Sequence, residues 1–252
     1  MAHRAILVDV TRCVGCGSCV EACQEANSQP RHEADRFDEH TFTYLMDRGN
    51  DVFVRRLCMH CEDPSCASVC PVAALRKTAD GPVTYDPSRC MGCRYCLMAC
   101  PFGVPTYEWH NPMPRVRKCQ MCATRSGGPA CAEACPAEAT IVGDREELLA
   151  EAHRRLAADT DTYFQHIYGE HEAGGTSVLF IGPKSPADLG LPTRTGTEPL
   201  PELSWRALRH IPNVVMFGSV FLGGMWWLTK RKEDVARAEA EEREQEKEER
   251  HV

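Results

Sequence analysis

Apolar and polar positions repeat with different periods along the chain, and these periods predict most of its regular elements. Residues 144–158, DREELLAEAHRRLAA, place leucines at helical spacing with acids early and arginines late, which predicts a helix. Residues 177–181, SVLFI, are a short apolar run that predicts a strand. Residues 74–76 and 83–85 flank a turn at Asp80-Gly81 and predict a two-stranded hairpin. Helix and strand therefore occur together in an α+β chain.

One apolar run near the C-terminus is much longer than the others. Ile211–Thr229, IPNVVMFGSVFLGGMWWLT, contains nineteen residues without a charge. As a helix with a rise of about 1.5 Å per residue it would span about 28 Å, close to the thickness of a bilayer core. Trp226 and Trp227 lie at one end, where membrane proteins carry aromatic belts. We predict a transmembrane anchor helix over residues 205–232; a buried helix of a soluble protein is the alternative.

The segments beside this run differ in composition. Residues 182–201 are rich in Pro, Gly and Thr, which favours an extended linker or a surface arm. Residues 233–252 hold nine acidic and four basic side chains, a net charge of −5 out of −7 for the whole chain. We expect this charged tail to be a solvated, partly disordered extension. The remainder is close to neutral, so we expect no nucleic acid as a partner.

Cysteine is the most informative residue type in this sequence. The 252 residues contain sixteen cysteines, which fall in four similar groups. The quartets are Cys13, Cys16, Cys19 and Cys23; Cys58, Cys61, Cys66 and Cys70; Cys90, Cys93, Cys96 and Cys100; and Cys119, Cys122, Cys131 and Cys135. The first and third quartets are spaced C-x2-C-x2-C-x3-C, and the other two have a longer middle gap. A proline follows the last cysteine in all but the first quartet.

Three kinds of site compete for this pattern. A disulfide framework gives no reason for four similar quartets, and C-x2-C neighbours rarely form structural bridges. Structural zinc sites usually combine two separated C-x2-C pairs. The x2, x2, x3 spacing followed by proline is typical of bacterial [4Fe-4S] ferredoxins, in which the fourth cysteine binds the other cluster of a pair. We predict four [4Fe-4S] clusters, with zinc and disulfides as the alternatives.

The position of the predicted hairpin indicates how the quartets combine. It lies between Cys70 and Cys90, so the second and third quartets form an inner module over about residues 53–108. The first and fourth quartets form an outer module around it, within residues 1–143. The predicted fold is therefore two pseudo-symmetric dicluster-ferredoxin modules, one inserted in the other. A helix, a strand and a linker follow over residues 144–204, before the anchor and the tail.

The cysteine motifs also resemble a known family. CMHCEDPSC, CMGCRYCLMACPFGVPTY, RKCQMC and PACAEACP resemble the four-cluster beta subunits of membrane-bound respiratory oxidoreductases. DREELLAEAHRRL and YGEHEAGGTSVLFI are similar to the formate dehydrogenase beta subunit and to the iron–sulfur subunit of quinone-linked [NiFe] hydrogenase. The resemblance implies crossed ligand sets: Cys13, Cys16, Cys19 and Cys135 for cluster 1; Cys58, Cys61, Cys66 and Cys100 for cluster 2; Cys90, Cys93, Cys96 and Cys70 for cluster 3; and Cys119, Cys122, Cys131 and Cys23 for cluster 4.

The resemblance further implies an electron-transfer subunit. It would relay electrons between a catalytic subunit, carrying a molybdenum or tungsten pterin or a [NiFe] centre, and an integral membrane subunit that reacts with quinone. No triad, phosphate loop or dinucleotide motif indicates catalysis by the chain itself. A stand-alone redox enzyme is the alternative, although sixteen cysteines would saturate four clusters.

Two further expectations concern the partner and the side of the membrane. MAHRAILVDVTR, at the start, has no apolar signal segment, so we expect export with a signal-bearing partner, which favours formate dehydrogenase. CPVAAL and GCRYC favour the hydrogenase type. We expect a formate dehydrogenase partner, with a quinone-linked [NiFe] hydrogenase or another molybdopterin oxidoreductase as the alternative. The basic cluster Lys230–Lys232 directly follows the apolar run and favours a cytoplasmic C-terminus. The cluster domain would then lie on the periplasmic side of the cell inner membrane.

Four polar residues outside the quartets also have two interpretations each. Arg117 and Lys118 precede Cys119, where positive charge would favour the reduced state of a cluster; a solvated basic turn is the alternative. His32 and His40 lie in a polar stretch, and we expect surface positions for them more than metal ligation.

Overall fold

The computed structural model describes residues 3–112 and 114–249. The chain divides into two compact units, Met1–Glu202 and Leu203–Val252. All sixteen cysteines belong to the first unit.

The described strands are short except for the first. They are β1 (Arg4–Asp9), β2 (Tyr44–Asp47), β3 (Phe53–Arg56), β4 (Leu75–Lys77), β5 (Val83–Tyr85), β6 (Thr106–Tyr107), β7 (Val116–Arg117), β8 (Thr140–Asp144) and β9 (Val178–Ile181). The helices are α1 (Ser18–Ala26), α2 (Ser65–Ser68), α3 (Tyr95–Ala99), α4 (Ala130–Glu133), α5 (Arg145–Ala158), α6 (Leu200–Leu208) and α7 (Ile211–Glu249), with 3-10 turns at Val10–Arg12 and Glu172–Gly174.

A three-stranded sheet with β1 in its centre organises the first unit. β8 pairs with β1 in the antiparallel direction, with Arg4 opposite Asp144. β9 pairs with the other edge of β1 in the parallel direction, with Ile6 opposite Val178. The predicted strand at residues 177–181 is therefore present, and its four residues in β9 are all buried. Residues near both ends of the cysteine region are joined in one sheet by this pairing.

α5 confirms the helix predicted at residues 144–158 and covers one face of this sheet. Asp144 caps its first turn by accepting a hydrogen bond of 3.1 Å from the Glu146 N–H. Four apolar side chains at helical spacing are buried, and they pack with β1 and β9 residues. These four are Leu148, Leu149, Ala152 and Leu156.

Three antiparallel hairpins hold the chain between the quartets. β4 and β5 form the hairpin predicted between the second and third quartets, with Leu75 opposite Tyr85. The β2–β3 and β6–β7 pairs lead into the second and fourth quartets, and periodicity did not predict them. Strands of two to four residues carry too little of a period-two pattern to be recognised.

The short helices that follow each cysteine loop pack in two pairs. α1 contacts α4, and α2 contacts α3. The helix of the first quartet therefore lies against that of the fourth, and the helix of the second lies against that of the third. This is the nested, pseudo-symmetric arrangement expected for two dicluster modules.

The Pro- and Gly-rich segment after β9 contains no regular element until α6, in the part of the chain that the structure describes. It is nevertheless anchored, because Leu189 and Leu191 are buried in the main apolar core beside β1. Residues 144–202 therefore pack in the same compact unit as the cysteines.

The second unit is dominated by α7. It is long and apolar enough in its first half to cross a membrane, and its apolar side chains, such as Val220 and Phe221, are exposed. The helix continues through residue 249, where the sequence led us to expect a partly disordered extension. Glu, Ala, Arg and Lys are strong helix formers, and pairs such as Arg243 with Glu239, at 3.2 Å, support the helix one turn apart.

Candidate metal centres

Each quartet folds as a tight loop followed by a short helix. The third cysteine lies on that helix and the fourth follows four positions later, about one helical turn onward. The residue before the second cysteine has a left-handed backbone in all four loops, with φ of +70° at Gly15, +49° at His60, +73° at Gly92 and +53° at Met121. This shared conformation turns the loop back on itself, and glycine marks it in only two quartets.

All sixteen cysteines are free thiols, so the structure contains no disulfide framework. Cys13, Cys16, Cys19 and Cys135 line one apolar pocket. Burial raises the pKa of the Cys13 thiol, and the negative charge of Cys135 raises it further. The fourth cysteine of the last quartet therefore lies with the first three of the first quartet.

In the outer module, the last cysteine of the first quartet lies near the fourth quartet. Burial raises the pKa of Cys23 to about 12, and the charges of Cys131 and Cys122 add to the effect. Cys119 is half-buried and lies near both Cys23 and Cys131. Cys23 therefore lies with the first three cysteines of the fourth quartet.

The inner module shows the same exchange. Burial raises the pKa of Cys61 well above its ordinary value, with added contributions from Cys58, Cys100 and Cys66. The structure therefore places Cys100 with the second quartet.

Cys70 takes the corresponding place in the third quartet. Burial raises the pKa of Cys96 to about 11, and Cys90, Cys93 and Cys70 raise it further. The last cysteine of each inner quartet thus lies beside the first three of the other.

These thiol groups fit iron–sulfur clusters by the chemistry of their donors. Within residues 3–112 and 114–249, no three His, Cys, Asp or Glu side chains are close enough to hold a single metal ion. Four thiols around one pocket suit a [4Fe-4S] cluster, because each of its irons takes a separate thiolate. Two buried side chains carry donors without a nitrogen or oxygen partner: the guanidinium of Arg55, which lines this pocket, and Nε2 of His60, the residue before Cys61. Such donors are expected near an object rich in acceptor sulfur.

His60 has a defined protonation state. Its Nδ1 accepts a hydrogen bond of 2.8 Å from the Val83 N–H, so the proton of the neutral ring lies on Nε2. Burial lowers the pKa of His60 well below its ordinary value, and the positive charges of Lys118 and Lys77 lower it further. No sequence pattern selects this residue, because its neutral state depends on its burial.

Lys118 is not part of a solvated basic turn. Its side chain is buried, and Nζ donates to the carbonyl oxygens of Val83 and Cys119 at 2.5 and 2.7 Å. Burial raises the pKa of Cys66 to about 12, and the nearby Lys118 ammonium opposes that rise. The Lys118 ammonium therefore lies close enough to affect a thiol of the inner module. This agrees with the first of the two interpretations of Lys118, a positive charge near a cluster.

The other three polar candidates have contacts with protein oxygens or an exposed position. Arg117 donates to the Glu39 carbonyl oxygen at 3.1 Å and its Nε lies 3.7 Å from Oε1 of Glu108. His32 is half-buried, with Nε2 2.8 Å from Oγ1 of Thr41, and His40 is exposed. The histidines therefore occupy loop positions without a metal-binding arrangement.

Arg55 is the residue that sequence reasoning missed. It lies on β3 three positions before Cys58 and lines the pocket of Cys13, Cys19 and Cys135. The RR pair at residues 55–56 was the available signal, because side chains alternate across a strand and one of two adjacent arginines must point inward.

Comparison with known proteins identifies the cysteine region. Two families, each described as a 4Fe-4S dicluster domain, match residues 12–74 and 50–145, and together these ranges contain all sixteen cysteines. The fold and the thiol groups therefore define a ferredoxin-type iron–sulfur protein with two dicluster domains.

Relatives narrow this class further. A protein of Nitratidesulfovibrio vulgaris is 38% identical over 258 aligned positions, which cover 94% of this chain and 70% of that protein. The hydrogenase-2 operon protein HybA of Escherichia coli O157:H7 is 37% identical, with 74% and 72% covered. The nitrate-inducible formate dehydrogenase iron–sulfur subunit of Escherichia coli K12 is 34% identical, with 71% and 68% covered. The chain belongs to the family of iron–sulfur electron-transfer subunits of oxidoreductases, which confirms the family resemblance and the fold class.

Proposed function

We propose that the sixteen cysteines hold four [4Fe-4S] clusters in the crossed sets that the resemblance implied. Cluster 1 would take Cys13, Cys16, Cys19 and Cys135; cluster 2 would take Cys58, Cys61, Cys66 and Cys100; cluster 3 would take Cys90, Cys93, Cys96 and Cys70; and cluster 4 would take Cys119, Cys122, Cys131 and Cys23. The observation that carries this proposal is the position of Cys135, which lines the same pocket as the first three cysteines of the first quartet.

The thiols that approach one another between sets give the four sites an order. Cys19 lies near Cys131, which joins sites 1 and 4. Cys119 lies near Cys58, which joins sites 4 and 2. Cys66 lies near Cys96, which joins sites 2 and 3. Each cluster, when bound, takes up and releases one electron. The order 1, 4, 2, 3 supports a linear relay held in place by the α1–α4 and α2–α3 packing.

Both ends of this order reach the surface. Cys16 and Cys93 are the two exposed cysteines, one in the first site and one in the last. Val14, near Cys16, is 63% exposed, and Met91 and Met98, near Cys93, are 65% and 86% exposed. Exposed apolar side chains that form a contiguous patch are typical of docking sites. We therefore place the partners at these ends: a catalytic subunit at one and an integral membrane, quinone-reactive subunit at the other.

The catalytic partner would carry a molybdenum or tungsten pterin or a [NiFe] centre. The sequence identities to HybA (37%) and to the formate dehydrogenase subunit (34%) are nearly equal, so identity does not separate the two types of partner. The chain itself would bind its partners, hold the clusters at fixed separations and exclude water from the buried thiols.

The first half of α7 would anchor the chain in the cell inner membrane as a single pass. Lys230 Nζ lies 5.4 Å from the ring centre of Trp226, and the Arg231 guanidinium lies 5.7 Å from that of Trp227. Aromatic and basic side chains together are typical of a membrane interface. The basic cluster after the apolar run supports a cytoplasmic C-terminus and a periplasmic cluster domain.

Metal analysis of the anaerobically purified chain tests the cluster proposal. We expect about sixteen irons and sixteen sulfides per chain, with a brown absorbance band, as four clusters require. Four zinc ions without that absorbance would contradict it.

Purification of the chain from its native membranes tests the partners. The complex should oxidise formate or hydrogen with a quinone acceptor, and the active substrate identifies the catalytic subunit. A complex without a catalytic subunit of either kind would overturn this pairing.

A further inference from the structure

Arg55 is a buried charge that the polypeptide does not compensate. The residue is 2% exposed, and its Nε, Nη1 and Nη2 atoms are all buried without a nitrogen or oxygen partner in the described chain; the side chain that approaches them is the Cys19 thiol. An unpaired charge in a protein interior is strongly destabilising, so a buried guanidinium normally has a carboxylate or carbonyl partner. The partner of Arg55 must therefore be something other than a protein N or O atom.

The guanidinium of the neighbouring Arg56 has the usual oxygen acceptors. Arg56 is half-buried, and its Nη1 and Nη2 donate to the carbonyl oxygens of Gly190 and Phe102, both at 3.2 Å. Lys118, the buried cation of the inner module, also has two carbonyl partners. Arg55 thus differs from both in lacking oxygen acceptors.

The surroundings of Arg55 are cysteine thiols from two different sites. It lines the pocket of Cys13, Cys16, Cys19 and Cys135. On its own, burial would lower the pKa of Arg55, but the negative charges of Cys131 and Cys19, and then of Cys119, raise it overall. Arg55 is therefore close to thiols of sites 1 and 4 at once. Neutral thiols would leave its charge uncompensated, whereas thiolates bound to iron would compensate it.

We propose that Arg55 is a positioning residue shared by clusters 1 and 4, whose positive charge and N–H groups raise the reduction potentials of both. This inference rests on the proposed function. A cysteine-ligated [4Fe-4S] cluster is negatively charged, and reduction adds one electron without making or breaking a bond. In a buried site the fixed guanidinium stabilises the more negative, reduced state, and N–H donors to sulfur act in the same direction.

An anaerobic redox titration of the full-length protein, followed by electron paramagnetic resonance, tests this role. Dithionite, with mediator dyes, supplies the electrons. The variants are Arg55→Gln, which removes the charge, and Arg55→Lys, which keeps it. Arg12→Gln is the matched control, because it removes the same charge beside Cys13 from an exposed side chain that solvent screens. Iron and sulfide are measured in each sample.

In Arg55→Gln we expect two of the four one-electron transitions to move to lower potential. The reduced-to-oxidised ratio at a fixed ambient potential should fall at least tenfold for those two, which is 59 mV for a one-electron couple. Arg55→Lys keeps the charge, so both transitions should return most of the way to their wild-type potentials. Arg12→Gln should change each reduced-to-oxidised ratio less than threefold.

Two results would overturn the role of Arg55. One is an Arg55→Gln protein with sixteen irons and unchanged transitions. The other is an equal shift in the Gln and Lys variants, because that would indicate side-chain shape and not charge. If Arg55→Gln takes up no clusters, Arg55→Lys decides: a fully loaded Lys variant with wild-type transitions supports the charge, and its failure to load overturns the proposal. A wild-type chain without iron would instead refute the proposed function itself.

Discussion

The backbone N–H of Ala74 donates a hydrogen bond of 3.2 Å to Sγ of Cys70. Cys70 belongs by sequence to the second quartet, yet its thiol lies near that of Cys96 in the third. The hydrogen bond comes from the residue just before β4, so the hairpin between the two quartets also helps to hold this sulfur. N–H donors to cysteine sulfur tune iron–sulfur sites.

Cys70→Ser should therefore damage the site of the third quartet and leave that of the second. We expect the loss of about four irons per chain and of one paramagnetic component, as for the loss of one cluster. Cys96→Ser should remove the same paramagnetic component, because Cys96 belongs to the same site. Cys66→Ser should remove a different component, that of the second quartet. The double variant Cys70→Ser with Cys96→Ser should lose no more iron than either single variant. Loss of the Cys66 component in Cys70→Ser would contradict the crossed sets.

Gly81 should tolerate alanine much less than Gly49, although both lie in hairpin turns with positive φ. A Cβ at Gly81, with φ of +110°, would lie 2.4 Å from the Arg4 carbonyl oxygen. At Gly49, with φ of +72°, nothing lies within 4 Å of that position. Gly49→Ala carries only the backbone cost of about 1 kcal/mol. Gly81→Ala adds a clash between the β4–β5 turn and β1.

Thermal unfolding followed by circular dichroism compares the two glycine variants. The midpoint should fall by a few degrees for Gly49→Ala and by clearly more for Gly81→Ala. Equal shifts would mean that β1 moves away from the turn without cost.

Asp9→Asn should destabilise the first unit by about 3 kcal/mol, because it breaks a buried and fully hydrogen-bonded carboxylate. Asp9 is 1% exposed, and its Oδ2 accepts from Arg155 Nη1 at 2.9 Å and from Tyr163 Oη at 2.8 Å. It joins the end of β1 to α5, just before Cys13. Thermal unfolding of the cluster-loaded protein measures the effect.

Glu151→Gln is the control for Asp9, because Glu151 binds the same arginine at 2.7 Å from a more exposed position. We expect a loss of at most about 1 kcal/mol there. A loss as large as that of Asp9→Asn would show that the charge of Arg155, and not the burial of Asp9, sets the cost.

Truncation before α7 or after its apolar half tests the membrane anchor. A chain that ends after His210 should leave the membrane fraction, because it lacks the apolar half of the helix. A chain that ends after Lys232 keeps that half and should remain in the membrane after an alkaline wash. Both are expressed without partner subunits, and both should keep their iron. Retention of the shorter chain in the membrane would contradict the anchor.

Local patterns in the sequence determined much of this protein. The x3 gap before each last cysteine, the hairpin at residues 74–85, α5, β9 and the apolar half of α7 all follow from spacing within a few residues. The family and the cluster type followed from the same short-range information, because one cluster loop is one tight turn and one helical turn.

Only the tertiary structure decided which individual side chains meet. The pairing of α1 with α4 brings Cys135 to Cys13, and nothing in the residues near either cysteine specifies that contact. His60 and Met121 take the left-handed conformation that the sequence marks with glycine only in the other two loops. The burial of Arg55 and Lys118 likewise depends on what covers them. Spacing fixes the chemistry of a loop, whereas the neighbours that set its charge environment come from distant parts of the chain.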